Sequence, residues 1–204
     1  MKTLFSEGVD RAFPADDYTG GSFGLLLVFR PLSPDEFARA VNAAWDDKLL
    51  EGPFEDPGLR KPFTESPSSF GSESVRSGWG RLTSDRPVPV NHSVVREESA
   101  DYLYFDTKVG SLSRLYGAAG YPHEPAGDWY EPFADFFFDT AVRIGSAVEF
   151  YRGVINWNAE FELEFVSIPG GPLPAQRWGE CLETFDGTIT RWPRTEHSAY
   201  VVVG

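Results

Sequence analysis

The chain has 204 residues, of which 41% are apolar, 15% aromatic and 24% charged. Thirty-one acidic against eighteen basic residues leave a formal net charge of −13, a field that repels nucleic acid and anionic membranes and speeds encounter with basic partners. A disordered chain is excluded, because it would lack the rings that offset ordering entropy, and no apolar run approaches the eighteen or more residues that span a bilayer.

A chain of this length supports one sizeable core, so a single domain over residues 1–204 is expected. The opening MKTLFSEGVD turns acidic before a signal-peptide core forms, and the lone Cys181 rules out an internal disulfide framework. Both point to a cytoplasmic protein held together by packing. Among the cations Arg outnumbers Lys fourteen to four, which fits a GC-rich bacterial genome because most Arg codons are GC-rich.

The first element is the apolar run Phe23 to Phe29, bounded by Gly-Gly and Pro31, which fits a buried strand. SPDEFARAVNAAW follows, where Ser33 can cap, Pro34 suits the first helical position and Glu36 completes a capping box. Phe37, Val41 and Trp45 then recur every four residues and mark the buried side of a helix. Residues 51–74 are rich in Pro, Gly and Ser without sustained periodicity, and are expected to form a long surface connection.

SGWGRLTS, VPVNHSVVRE and ADYLYFDTKV are rich in β-branched and aromatic residues and predict an antiparallel meander, with a turn at residues 97–100. SLSRLYG predicts a short helix from Ser111 that ends near Gly117 to Gly120. A longer helix is expected from Pro132 to Tyr151, with Phe133, Phe137, Ile144 and Val148 inward, Asp135 and Asp139 outward, and Arg143 placed to pair with Asp139. No Lys or Arg occurs from Leu115 to Val142, whereas Glu124, Asp128, Glu131, Asp135 and Asp139 do, which predicts a local negative patch.

AEFELEFVSI alternates with period two, so that Glu160, Glu162 and Glu164 share one face of a strand and the apolar residues between them the other. Near the end, Asp186-Gly187 between alternating runs is the chemistry a two-residue type I′ hairpin turn requires, and SAYVVVG would add a last strand. Helices set between groups of strands, without a βαβ rhythm, give the class α+β, a mainly antiparallel sheet with two to three helices packed on it.

Motifs for the common reaction classes are missing: no phosphate-cradling G-x-x-x-x-G-K-S/T, no G-x-G-x-x-G after a strand, no H-E-x-x-H and no G-x-S-x-G. His92, His123 and His197 are at least thirty residues apart, without the local spacing of a zinc site. No cofactor or metal is therefore expected. One enzymatic alternative is a small hydrolase or transferase that pairs Cys181 as nucleophile with His197 as base and Asp186 or Glu183 as orienter. Against it, Glu180 and Glu183 beside Cys181 work against a reactive thiolate. Paired carboxylates, Asp101 with Asp106 or Glu160 with Glu162, are the other.

Small size, strong acidity, α+β patterning and missing catalytic motifs resemble the physical character of immunity proteins, which neutralise toxins, although no motif carries that likeness. They favour a non-enzymatic protein whose acidic, aromatic surface caps a basic protein partner of the toxin kind. Its contact residues would be Glu124, Asp128, Trp129, Tyr130, Glu131, Asp135 and Asp139, with Glu160, Glu162 and Glu164 from the strand ladder. A third reading is a mimic of nucleic acid, which needs carboxylates spaced like phosphates over a long surface.

Overall fold

The computed structural model describes residues 13, 21–56, 59, 61–63, 75–83, 86–117, 129–157 and 180–192. Among the described residues, eight strands form one antiparallel sheet in the order β2-β3-β4-β5-β1-β6-β7-β8. They are β1 (Ser22–Phe29), β2 (Leu50–Phe54), β3 (Val75–Leu82), β4 (Val88–Arg96), β5 (Asp101–Lys108), β6 (Arg152–Trp157), β7 (Glu180–Phe185) and β8 (Thr188–Trp192). With helices α1 (Pro34–Trp45), α2 (Val109–Tyr116) and α3 (Tyr130–Ala147) they make an α+β protein.

Strand β1 is buried along its whole length and lies between β5 and β6 at the centre of the sheet. Its uninterrupted apolar run suits that place, because both faces of a central strand are covered. Alternation then sorts the side chains. Phe23, Leu25, Leu27 and Phe29 join the core beneath the helices, together with Leu103, Phe105, Ile155 and Leu182, while Leu26 and Val28 join Tyr102, Tyr104, Val154 and Cys181 on the opposite face.

Local signals act where expected. Ser33 accepts from the Glu36 backbone N–H while Glu36 accepts from the Ser33 N–H, closing the capping box. A hydrogen bond from Arg30, with further ones from Ser33, lowers the Glu36 pKa to about 2. The β3–β4–β5 meander forms, and the Glu97 N–H donates to Ala100 O at 3.0 Å across its second turn. Helix α2 begins at Val109, two residues before Ser111, and ends on Gly117 in the left-handed region, φ 68°. Asp186 (φ 48°) and Gly187 (φ 75°) make the predicted two-residue turn between β7 and β8.

Three expectations need correction. Part of the 51–74 connection is strand: Leu50–Phe54 pairs with β3, and Pro53 is tolerated because β2 is an edge strand, where a missing ladder N–H costs little. Helix α3 runs from Tyr130 to Ala147, not from Pro132 to Tyr151. Pro132 sits in its first turn, whose N–H groups have no intrahelical acceptor in any case, and Val148 is already extended so that the Tyr151 N–H can reach Val28 O. Arg143 pairs with Asp47 at 2.9 Å instead of Asp139, because α3 packs beside α1 and presents Arg143 to the loop that follows it.

Candidate partner-binding surface

Helix α3 owes its orientation to rings. Phe23 on β1 is met by Trp129, Tyr130, Phe137 and Trp157 at centroid separations of 5.3 to 5.8 Å. Phe133, Ala141 and Ile144 share that buried side, which turns Glu131, Asp135 and Asp139 to solvent. Trp129 and Tyr130 are only 3% and 2% exposed, so Tyr130 is a core residue and not the surface contact expected of it, while Trp129 meets open space only as part of a cavity wall. A long aromatic pair ahead of a helix reads the same in sequence whether it faces the core or a partner; the ring-lined pocket around Phe23 decides between the two.

The three outward acids follow one another at four-residue spacing and form a stripe about 12 Å long. Like charges at this spacing destabilise a helix by a few tenths of a kcal/mol per pair, so local stability does not account for the arrangement. Among the described residues, one cation from another element touches the stripe. Arg191 on β8 donates to Asp135 at 2.6 Å and to Glu180 at 3.0 Å, and its guanidinium lies 5.0 Å from the Phe138 ring centroid. The hydrogen bond with Glu180, followed by that with Asp135, raises the Arg191 pKa well above its ordinary value despite partial burial. Position 191 carries no sequence mark of this role, since β8 has to pair with β7 before its arginine reaches α3.

Beside the stripe lies an apolar cavity of about 480 Å³. Tyr116, Trp129, Phe133 and Phe136 supply its rings, and Leu49, 43% exposed, stands at its edge with Leu82 behind. Arg86 forms one wall, stacked over Tyr116 and donating to Leu115 O. On the α3 wheel, at 100° per residue, Trp129, Pro132, Phe133 and Phe136 face the cavity, and Asp139 is the nearest acid of the adjoining exposed stripe. Sequence reading missed this cavity because its walls come from five separate elements and connections.

Cys181 is buried in β7, 1% exposed, opposite Val154 and Trp192. Asp186 sits in the hairpin turn five residues further on, about 17 Å along an extended strand, so it cannot orient a base that is bonded to Cys181. Glu183 pairs with Arg152 at 3.3 Å. Asp101 and Asp106 are an odd number of residues apart on β5 and project from opposite faces. Asp101 accepts from the Leu32 N–H and pairs with Arg96, while Asp106 pairs with Lys108 at 3.1 Å and, with the Asn91 amide turned so that its nitrogen faces the carboxylate, accepts from it.

Among the described residues no group of three or more His, Cys, Asp or Glu is placed to hold a metal ion, and no helix is long and apolar enough to cross a membrane. Glu124, Asp128, Glu160, Glu162, Glu164, His123, His197 and the closing SAYVVVG segment lie outside the described residues.

Compared with protein-family models, curated proteins and solved structures, the chain matches none.

Proposed function

We propose that this protein binds and neutralises a basic protein partner, in the manner of an immunity protein, with the outer side of α3 at the centre of the contact. The observation that carries the reading is the stripe Glu131, Asp135 and Asp139, three carboxylates aligned on an exposed helix face where they repel one another and where Arg191 offsets only part of their charge. An overall charge of −13 gives the same surface a long-range field for positive proteins. Glu124 and Asp128, just ahead of α3 in sequence, and Glu160, Glu162 and Glu164 enlarge the acidic set. A stripe of about 12 Å is short for a mimic of a nucleic-acid backbone, so a protein partner is the better match.

The test is an affinity capture at low and high salt with two baits, the natural protein and a Glu131→Gln, Asp135→Asn, Asp139→Asn variant. A basic protein held by the natural bait at low salt, released by high salt and lost from the variant supports the reading. Loss of that protein's toxic activity on addition of the bait would establish neutralisation. Equal capture by both baits would move the contact away from α3.

A further inference from the structure

We infer that the apolar cavity beside α3 receives an aromatic side chain of the basic partner, so that the contact consists of one buried anchor flanked by charge pairs. This rests on the reading of the acidic stripe as a binding face. A cavity of about 480 Å³ walled by Tyr116, Trp129, Phe133 and Phe136 offers edges and faces to an incoming ring. Leu49 at its edge is one of three large apolar residues exposed among the described ones. Anchors in binding interfaces are typically aromatic or arginine side chains in such desolvated pockets, surrounded by contacts that exclude water.

Charge decides what kind of molecule carries the ring. Arg86, the one charged residue among the described ones that line the cavity, is turned to the Tyr116 ring and to Leu115 O, where it serves as a wall. Among the outward acids of α3, Asp139 and Asp135 lie three residues beyond the cavity-facing Phe136 and Pro132 and are their neighbours on the helix surface, with Glu131 further round. An anionic ligand would have to approach through that field, whereas a cationic segment is drawn by it. The occupant that fits both features is a ring with Lys or Arg residues on either side of it in the partner.

Two synthetic heptapeptides test this, Lys-Arg-Lys-Trp-Lys-Arg-Lys and the same peptide with Ala at the centre, each titrated at low salt into the ¹⁵N-labelled full chain. The expected result is at least tenfold tighter binding of the Trp peptide, with shifts at Leu49, Phe133 and Phe136. Leu49→Gln, at an exposed position, should shrink that ratio. Glu131→Gln combined with Asp139→Asn should weaken both peptides by a common factor and leave the ratio unchanged. Equal binding of the two peptides would overturn the anchor while leaving the acidic face intact; binding of neither would overturn both. Free indole that fills the cavity without any preference between the peptides would mark a small-molecule site and overturn the inference.

Discussion

Trp45, the last residue of α1, donates its indole N–H to Nδ1 of His92 on β4 across 2.8 Å. His92 has no exposed surface, and Phe63 and Trp45 meet its ring edge-on at centroid separations of 5.3 and 5.7 Å. Because Nδ1 accepts, the ring is neutral with its proton on Nε2. The pair ties the end of the first helix to the sheet over a floor of glycines.

Burial lowers the His92 pKa to about 3, against about 6.5 for an exposed imidazole. Below pH 6.5 the unfolded chain therefore takes up a proton that the folded chain refuses, so stability is complete above that pH and falls as the pH drops toward 3. Between pH 7.5 and pH 5 the loss from this residue should be about 2 kcal/mol. Urea melts of the natural protein and of His92→Gln at both pH values measure it, since the carboxylate contributions largely cancel in the comparison. An identical pH dependence in the two proteins would show that His92 titrates normally.

Gly78 and Gly80 on β3 make room for those rings. A Cβ at Gly80 would lie 2.3 Å from the Trp45 ring and 2.4 Å from Glu51 O, and one at Gly78 would lie 2.3 Å from His92 Cε1. Gly80→Ala should cost about 1–3 kcal/mol through overpacking. Gly117→Ala, where nothing among the described residues stands within 4 Å and the left-handed φ of 68° is strained, should cost about 1 kcal/mol. Equal losses by chemical denaturation would deny the close approach.

Asp101 joins two connections. Its carboxylate accepts from the Leu32 N–H at 2.7 Å and from Arg96 at 3.1 Å, and Arg96 in turn donates to Leu32 O and covers the Phe37 ring. Asp101→Ala leaves a largely buried guanidinium without its counter-charge and should cost about 3–5 kcal/mol. Asp101→Asn, which still accepts from Leu32, should cost less. Melting of both variants by circular dichroism checks the order.

Arg191 restrains the acidic stripe and supports the fold together. Arg191→Met should lower stability, because Glu180, 4% exposed, loses its cation. The same change releases Asp135, so association with a lysine-rich probe at low salt should quicken. Stopped-flow traces at two salt concentrations separate the effects, and an unchanged rate would argue against α3 as the approach surface.

Cys181 should behave as a packing residue. In the native protein its thiol should react with a thiol reagent only as fast as the fold opens, and rapidly in urea, because the sulfur is enclosed between Val154 and Trp192. Cys181→Ala should leave peptide and partner binding unchanged; a loss of binding without a loss of stability would return the thiol to the functional site.

Some of the molecule follows from neighbours in the chain alone. The capping box at Ser33 and Glu36, the Asp186-Gly187 turn, the meander and the enclosed run of β1 all arise from interactions within a few residues, or from the simple alternation of a strand. The outward direction of Asp135 and Asp139 follows in the same way, because helical geometry alone opposes them to Phe133 and Phe137. Long-range packing decided the rest. Strand β1 lies between β5 and β6, Pro53 enters an edge strand, Trp129 and Tyr130 close over Phe23, and the arginines at 143 and 191 find Asp47 and Asp135. Each of these depends on which surfaces meet after the chain has folded back on itself. No local preference encodes that choice, because one aromatic side chain fits a core or a contact equally well until the ring that covers it is in place.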